Sequence, residues 1–403
     1  MSKNINFKNS LGPIYFNKNL YSSNKAKLKI ILKNILLSLN YKKDVFHSFS
    51  KNFNFNFKYS EIIKFNKYKS IILVGMGGSV LGAEAIHSIC KNRIKKNFTF
   101  FDNLDQLKIE KIKKSINFKN SFFIIISKSG NTLETLVNIN LLKDKINNKN
   151  TVIITEDSNN LLNKFANKKK ILLIEHKNYI GGRYSVLSEV GMIPAYFMGL
   201  KINHFRKNLL SFFKSKKKDF LINTATKLSH MYKSKRINSI ILLNYAPEVN
   251  NFLYWCHQLI AESLGKKGKG IMPIVSPAPK DHHSLMQLYL DGPKDKLFYI
   301  FSLKLNKKMK IKKNIFGKNF LHVEKKDLSD VKEAQKNALI EVLKSKNIPF
   351  REFEINKRNE ETLGELFSYF ITETIMISRL LGINPFDQPA VDQIKFLTKK
   401  HLG

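Results

Sequence analysis

Residues 121–126 read "SFFIII" and are followed directly by "SKSGNTLET" at residues 127–135. The first stretch is a short apolar run of the kind that forms a buried strand, and the second brings hydroxyl groups, a lysine and a glycine to the start of a helical pattern. Helix N-termini attract anions because they present free amides and the positive end of the helix dipole. We therefore expect an anionic group to bind directly after this strand.

Similar apolar runs recur along the chain, and each is followed by turn residues and a helix-like stretch. Strands that are apolar on both faces and alternate with helices indicate a parallel sheet covered on both sides. The pattern restarts after a helical segment at about 203–235, which predicts an α/β protein with two αβα lobes. The runs are "SIILV" (70–74), "FTFF" (98–101), "TVIIT" (151–155) and "ILLIE" (171–175) in the first lobe, and "NSIILLNY" (238–245), "KLFYIFS" (296–302) and "PFREFEI" (349–355) in the second.

The length of 403 residues exceeds the usual size of one domain, which agrees with two lobes. The last long element, from about Glu361 to Leu381, has an apolar helical face and ends at a glycine, as helices commonly do. We expect a helical packing segment around the first lobe at 1–40, a first lobe at 41–202, a helical connector at 203–237, a second lobe at 238–383 and a C-terminal helix at 384–403.

The chain is strongly basic, with 70 Lys and Arg against 31 Asp and Glu and a formal net charge of +39. Such a balance is one mark of a nucleic-acid-binding protein. The lysines are spread over the whole chain rather than clustered with aromatic residues, which favours a compositional bias and solvated surfaces. We therefore expect no nucleic-acid partner.

The cysteine content and the N-terminus bear on where the protein resides. Only Cys90 and Cys256 are present, which argues against a disulfide framework and fits a reducing compartment. The N-terminal sequence lacks the apolar core of a signal peptide, and no run approaches the roughly 18 apolar residues of a membrane span. We expect a soluble, cytoplasmic protein without a membrane partner.

Two glycine- and hydroxyl-containing turns follow predicted strands. "GMGGSVLG" (75–82) has neither the GxGxxG spacing of dinucleotide sites nor a Walker lysine, and an ordinary structural turn explains it equally well. In "SKSGNTLET", the hydroxyls of Ser127, Ser129 and Thr132 together with one lysine suit a single phosphate. An N-cap formed by Thr132 or Asn131 is the alternative, but a cap needs only one such residue. The proposed cradle consists of Ser127, Lys128, Ser129 and Thr132.

Two further motifs carry charged residues suited to proton transfer. "GGRYSVLSEVG" (181–191) contains Arg183, which could stabilise an oxyanion, although a lone arginine more often forms a surface ion pair. "WCHQLIAESLGKKGKG" (255–270) places Glu262 four residues after Gln258 and hence on the same helical face. Glu262 could act as a base or be an ordinary solvated glutamate.

Two motifs in the C-terminal half contain candidate residues, but each motif taken alone is weak evidence for a functional site. "SPAPKDHHSLMQLYLDG" (276–292) holds His282 and His283, of which one could transfer a proton. No third ligand stands at metal spacing, so we expect no metal centre. "NPFDQPAVDQIKFL" (384–397) places Gln388 seven residues before Lys395, which predicts that the two lie two turns apart along one helical face.

Taken in order, these motifs resemble the glucose-6-phosphate isomerase (phosphoglucose isomerase) family, in its short bacterial form, over residues of about 70–397. The resemblance implies two αβα sandwich lobes of the sugar-isomerase (SIS) type with parallel sheets and helical termini. It also implies reversible aldose–ketose isomerisation of glucose 6-phosphate and fructose 6-phosphate through ring opening and a cis-enediol. No cofactor is expected. The implied assembly is a homodimer.

The resemblance assigns roles to the residues that match the family motifs. Glu262 matches the base that carries the proton between C2 and C1, and Arg183 matches the cation that stabilises the enediolate. His283 and Lys395 match the pair that opens the sugar ring, and His283 would complete the site of the partner protomer. The implied substrate-binding residues are Gly78, Ser79, Ser127, Lys128, Ser129, Thr132, Gly182, Gln258 and Gln388.

The sequence departs from the family pattern at two places and leaves two other functions open. Asp392-Gln393-Ile394 precedes Lys395 where the family often has Glu-(Leu/Ala)-Gly, and His282 stands where Gln is common. A non-catalytic sugar-phosphate sensor built on the same lobes would keep the phosphate cradle but would not need the catalytic set. A bifunctional isomerase that also accepts mannose 6-phosphate is the alternative within enzymes.

Overall fold

The computed structural model describes residues 4–12, 17–115, 117–304 and 309–403. Within these residues the chain forms two five-stranded sheets flanked by helices, which confirms the predicted α/β fold with parallel sheets. In chain order the strands are β1 (Ile5–Ser10), β2 (Ser70–Val74), β3 (Asn97–Phe101), β4 (Ser121–Ile126), β5 (Thr151–Thr155), β6 (Leu172–Glu175), β7 (Ser239–Asn244), β8 (Met272–Pro277), β9 (Lys296–Leu303) and β10 (Phe350–Ile355).

The helices cover the faces of the sheets and form the connections between strands. Three short 3-10 helices matter for the site, namely Gly77–Ser79, Gly182–Leu187 and Lys280–His283. In chain order the α-helices are α1 (Lys18–Ser38), α2 (Tyr59–Ile62), α3 (Leu81–Cys90), α4 (Gln106–Ser115), α5 (Leu133–Leu141), α6 (Leu161–Lys169), α7 (Glu189–Phe197), α8 (Ile202–Arg206), α9 (Ser215–Ser234), α10 (Asn250–Leu264), α11 (Met286–Asp291), α12 (Leu328–Ser345), α13 (Glu360–Leu380) and α14 (Pro389–His401).

The first sheet is wholly parallel and has the strand order β3-β2-β4-β5-β6. All of its strands follow the apolar runs predicted from the sequence. The chain proceeds from β2 outward to β3 and then crosses to β4 on the other side of β2, so the strand order reverses between β2 and β4. Val74 lies opposite Ile125, which places the carboxyl ends of these two strands side by side.

The second sheet has the order β1-β10-β9-β7-β8, in which only β1 is antiparallel to its neighbour. The expectation that residues 1–40 form helical packing around the first lobe is wrong for the N-terminal strand. Ile5 and Phe7 alternate with outward residues, as in a half-buried strand, and pair with the edge of β10. Helix α1 packs on α9 and α13, and residues 1–3 and 13–16 lie outside the described residues.

A single hydrophobic core joins the two lobes. Helix α3 of the first lobe packs on α10 of the second, and α10 packs on α13. Helix α13 is buried almost all round from Thr362 to Ser378, whereas the sequence indicated a single apolar face. A helix that is buried on all sides belongs to the centre of a large protein, so α13 is the central helix of this core.

One ion pair is completely buried in this core. Arg351 on β10 is 0% exposed, and its Nη1 and Nη2 atoms each donate to the Glu373 carboxylate of α13 over 2.9 Å. The hydroxyl of Tyr369 also contacts both partners. The pair therefore joins the second sheet to the central helix.

We expect Glu373→Gln to lower the free energy of unfolding by about 3–5 kcal/mol, because it leaves the Arg351 charge buried without a counter-charge. Urea unfolding followed by circular dichroism measures this change. Asp392→Asn is the matched control, because its partner Lys395 is exposed and such surface pairs contribute about 0–1 kcal/mol. Equal effects of the two substitutions would contradict the structural importance of the buried pair.

Candidate active site

The polar segment after β4 lies at the carboxyl edge of the first sheet, beside the place where the strand order reverses. The hydroxyls of Ser127 and Thr132 lie 2.9 Å apart and share a hydrogen bond. Gly130 has a φ of +63°, and a Cβ atom there would lie 2.0 Å from Asn160 Oδ1, so only glycine fits this turn. The segment is thus folded tightly against α6, with Ser129 exposed at its rim.

The start of α5 lacks the side-chain cap that the N-cap explanation of this segment requires. Thr132 occupies the N-cap position, but its side chain makes no capping bond. The side chain of Asn131 instead accepts a hydrogen bond from the Leu161 amide, at 3.1 Å. The first-turn amides of α5 therefore have no side-chain cap within the described residues, as an anion site at a helix N-terminus requires.

Lys128 lies at the edge of this segment and contacts the loop after β6. Its Nζ atom donates to the Asn178 carbonyl oxygen at 2.7 Å and lies 3.5 Å from Glu156 Oε1. His176, at the end of β6, is buried, and burial lowers its pKa to about 4, so its imidazole is neutral at pH 7. Lys128 therefore carries positive charge at this edge, and both of its contacts lie near solvent.

The glycine turn after β2 brings the two lobes together. A Cβ atom on Gly78 would lie 2.2 Å from the carbonyl carbon of Gly182, and one on Gly77 would lie 2.8 Å from Gln258 Nε2. Ser79 completes this turn and is half-buried. The turn therefore lies directly against both the 182–187 turn of the first lobe and helix α10 of the second.

Arg183 is the most tightly bound residue of the site. Its side chain is 2% exposed, so it is not the surface ion-pair residue that the motif alone would favour. A guanidinium has five N–H donors, and all five are satisfied. Nε donates to Ser263 Oγ (3.0 Å), Nη1 donates to Glu262 Oε2 (2.9 Å) and Gln388 Oε1 (2.8 Å), and Nη2 donates to the carbonyl oxygens of Pro385 and of Asp387 (3.1 Å).

Glu262 receives hydrogen bonds on both carboxylate oxygens. Arg183 donates to Oε2, and Gln258 Nε2, one helical turn earlier on α10, donates to Oε1 at 3.0 Å. The Glu262 side chain is still 32% exposed. It lines a cavity of about 470 Å³ together with Gln388. The carboxylate is thus fixed in orientation while one side remains open, which suits a group that exchanges a proton with a small molecule.

The structure brings most of the predicted residues together but not all. His283 is exposed on the 280–283 turn, and no hydrogen bond within the described residues joins it to Arg183 or Glu262. Its neighbour His282 has a lowered pKa because of burial, and its Nε2 atom lies 2.6 Å from the Tyr245 hydroxyl.

Lys395 also lies outside the group that surrounds Arg183. It is on α14, its side chain is 63% exposed, and its Nζ atom lies 3.1 Å from Asp392 Oδ1. No residue of α14 is buried in the described structure. Gln388 immediately precedes this helix, so the seven-residue spacing to Lys395 does not place the two on one helical face.

Two residues that contact Arg183, namely Tyr184 and Ser263, were not predicted from the sequence. The Tyr184 hydroxyl lies 2.6 Å from Ser263 Oγ and donates to the Pro385 carbonyl oxygen at 2.8 Å. Ser263 directly follows Glu262, and Tyr184 directly follows Arg183. Their adjacency to the two charged residues was the available signal, but only the fold brings them together with residues 385–388.

Within residues 4–12, 17–115, 117–304 and 309–403, no three His, Cys, Asp or Glu side chains are grouped so that they could hold a metal ion. None of the helices in these ranges combines the length and the apolar character that crossing a bilayer requires.

Comparison with known proteins identifies the family of this chain. The family model described as phosphoglucose isomerase matches residues 33–402. Glucose-6-phosphate isomerase of Methanocaldococcus jannaschii is 32% identical over 342 residues, covering 82% of this chain and 83% of that protein. The enzyme of Campylobacter jejuni is 31% identical over 351 residues, covering 83% and 86%.

A solved structure extends the comparison to the fold. The crystal structure of a glucose-6-phosphate isomerase from Chlamydia trachomatis superimposes with a TM-score of 0.79 at 14% identity, covering 100% of this chain and 89% of that one. At this identity the likeness concerns the fold alone. The family match and the sequence identities decide membership. The chain therefore belongs to the phosphoglucose isomerase family of glucose-6-phosphate isomerases.

Proposed function

We propose that this protein interconverts glucose 6-phosphate and fructose 6-phosphate by moving a proton between C2 and C1 of the open-chain sugar through a cis-enediol. The observation that carries the proposal is the contact of the buried Arg183 guanidinium with the partly exposed Glu262 carboxylate, at 2.9 Å. The reaction needs a base and a cation at one place, because the proton next to a carbonyl is a weak acid and its removal places negative charge on oxygen.

Glu262 is the proposed base. In the direction from aldose to ketose, its carboxylate takes the proton from C2, and the C–H electron pair forms the C1–C2 double bond while O1 gains negative charge. The same carboxyl group then returns the proton to C1. The hydroxyl proton of O2 is transferred to O1, and O2 becomes the ketone oxygen. One carboxylate suffices because C1 and C2 are adjacent on one face of the planar intermediate.

Arg183 is the proposed cation that stabilises the negative charge on the enediolate oxygens. Its Nη1 atom donates to Glu262, which is partly exposed, and to Gln388, which is exposed. A substrate oxygen can share these donors without disturbing the buried bonds to Ser263 and Pro385. The positive charge of Arg183 is thus fixed in position before the reaction starts. A charge oriented in advance in this way lowers the activation barrier of the reaction.

The segment after β4 is the proposed anchor of the 6-phosphate. Ser127, Ser129 and Thr132 supply hydroxyls, Lys128 supplies a charge, and the uncapped start of α5 supplies amides. The glycine turn after β2 lies between this segment and α10, so a sugar anchored by its phosphate can extend along the turn towards Glu262. Gly78, Ser79, Gly182, Gln258 and Gln388 are the proposed sugar contacts.

Ring opening and the dimer are proposed from the resemblance and agree with the exposure of the residues involved. His283 and Lys395 are both exposed and lie outside the hydrogen-bonded group of Arg183. We propose that His283 completes the site of a partner protomer and that Lys395 acts with it. Cytoplasmic location stays a prediction from the sequence.

A coupled assay with fructose 6-phosphate and no added metal tests the function directly. We expect glucose 6-phosphate to form, and mannose 6-phosphate assayed in parallel decides whether both epimers are accepted. Binding of the sugar phosphate without any turnover would instead identify a sensor and would remove Glu262, Arg183 and His283 from a catalytic role.

Glu262→Gln tests the base. We expect kcat to fall by about 10²–10⁴-fold, with the dissociation constant for fructose 6-phosphate unchanged, because the amide keeps the shape but does not accept the proton. Steady-state kinetics and equilibrium binding measure the two effects. Glu341→Gln, the same change at an exposed position of α12, is the control. Near-normal turnover of the first variant would show that another group is the base.

Lys128→Ala tests the phosphate anchor. We expect KM to rise by about 10–100-fold with kcat largely kept, because a hydrogen bond to a charged group contributes roughly 1.5–3 kcal/mol. Lys143→Ala removes the same charge from an exposed position just after α5 and is the matched control. An unchanged KM for Lys128→Ala, or an equal rise in both variants, would exclude a specific contact.

A further inference from the structure

The loop between α13 and α14, at residues 381–388, supplies three of the acceptors of Arg183. The Gln388 side chain accepts from Nη1, and the carbonyl oxygens of Pro385 and Asp387 accept from Nη2. No residue of α14, which follows the loop, is buried within the described residues. The position of Gln388 and of α14 relative to the site therefore depends on how this loop is held.

A lysine that follows α10 also binds this loop. Lys266 Nζ donates to the Asn384 carbonyl oxygen at 2.5 Å and lies 2.7 Å from Asp387 Oδ1. The Asn384 side chain donates in turn to the other carboxylate oxygen of Asp387, at 3.0 Å. Lys266 stands four residues after Glu262, and both line the cavity of about 470 Å³. Lys266 therefore connects the loop to the end of the helix that carries the proposed base.

The Lys266 side chain is only 10% exposed, which is unusual for a lysine. A buried charge is stable only when it is paired and hydrogen-bonded, and the contacts with Asn384 and Asp387 meet this need. The hydrogen bond from Lys266 is the main cause that lowers the pKa of Asp387, so this carboxyl group is charged at neutral pH. The end of α10 and the loop are thus joined by an ion pair.

The loop and the proposed base are linked through one nitrogen atom of Arg183. Nη1 donates both to Gln388 Oε1, at 2.8 Å, and to Glu262 Oε2, at 2.9 Å. Asp387 is bound on both sides, because its carbonyl oxygen accepts from Arg183 and its carboxylate pairs with Lys266. A displacement of the loop would therefore move an acceptor of the nitrogen that orients Glu262.

We propose that Lys266 is a positioning residue, which holds the 381–388 loop in the place where the loop fixes the Arg183 guanidinium. Lys266 takes no part in the proton transfer itself. This role rests on the proposed isomerase function, since it is exerted through Arg183 and Glu262. Loss of Lys266 should lower kcat more than the affinity for the sugar phosphate, because the proposed phosphate anchor lies after β4 and not on the loop.

Lys266→Met tests this role, because it removes the ammonium group and keeps an unbranched aliphatic side chain. We expect kcat for fructose 6-phosphate to fall about tenfold or more, since the loop loses a charged hydrogen-bond donor. The dissociation constant should change by less than about threefold. Lys266→Arg keeps the charge and the donors and should retain most of kcat. Steady-state kinetics and equilibrium binding measure these effects, and an unchanged kcat in Lys266→Met would overturn the proposal.

Lys296→Met is the matched control for a general loss of stability. The Lys296 side chain is also 10% exposed, and its Nζ atom donates to the Pro293 carbonyl oxygen at 2.8 Å and to Asp295 Oδ1 at 2.7 Å. The two lysines thus have the same kinds of partner, but Lys296 lies at the start of β9, at the amino edge of the second sheet. We expect Lys296→Met to keep a normal kcat. An equal fall of kcat in both variants would indicate destabilisation alone and would overturn the proposal.

The double variant Lys266→Met/Gln388→Ala tests whether Lys266 acts through the loop. Gln388→Ala removes the side-chain acceptor that the loop offers to Arg183. Substitutions that act through one another are not additive. The double variant should therefore have a kcat well above the value expected from the product of the two single effects. A fall equal to that product would show that Lys266 acts independently of Gln388 and would contradict the positioning role.

Hydrogen–deuterium exchange of the intact chain separates this role from the proposed function. Lys266→Met should speed exchange in the segment 381–391, whereas Lys296→Met should leave that segment unchanged. A wild-type protein without isomerase turnover would contradict the proposed function, and the exchange would still decide whether Lys266 holds the loop. Turnover by the wild type together with unchanged exchange in Lys266→Met would overturn the role of Lys266 alone.

Discussion

The buried guanidinium of Arg183 is the interaction on which the site depends. A buried cation is stable only when it is paired and its donors are satisfied. Arg183 belongs to a turn of the first lobe, but its acceptors come from α10 and from residues 385–388. One side chain therefore holds three distant parts of the chain together and sets the position of the Glu262 carboxylate.

The packing of the lobes makes this convergence possible. Helix α3 begins after the glycine turn and packs on α10, so the carboxyl edge of the first sheet faces the helix that carries Glu262. Gly78 lies against Gly182 with no room for a side chain. The same topology in the second lobe creates another edge where the strand order reverses, but there the side chains are a mixture of lysines and carboxylates. Topology thus provides the place, and side chains decide what it binds.

The strands that the sequence did not indicate are both at the edges of the second sheet. β8 reads "MPIVSP", and its prolines would break a ladder in the middle of a sheet but are tolerated at an edge. β1 lies far from its partner β10 in sequence, and its antiparallel pairing with that strand, which begins with Ile5 opposite Ile355, makes it part of the sheet. β1 and β8 lack the continuous apolar run that marks most of the other strands, so only their pairing with β10 and β7 identifies them as strands.

Two α/β lobes, a polar segment after β4 as a proposed anion site, and the charged candidate residues were predictable from the sequence alone, because strand burial, turn chemistry and motif order are local properties. The tertiary structure alone decided that Arg183 is buried rather than at the surface, that Ser263 and Tyr184 support it, and that Lys395 and His283 lie outside its hydrogen-bonded group. Burial and pairing depend on residues up to 205 positions apart in the chain, and such contacts arise only when the lobes pack.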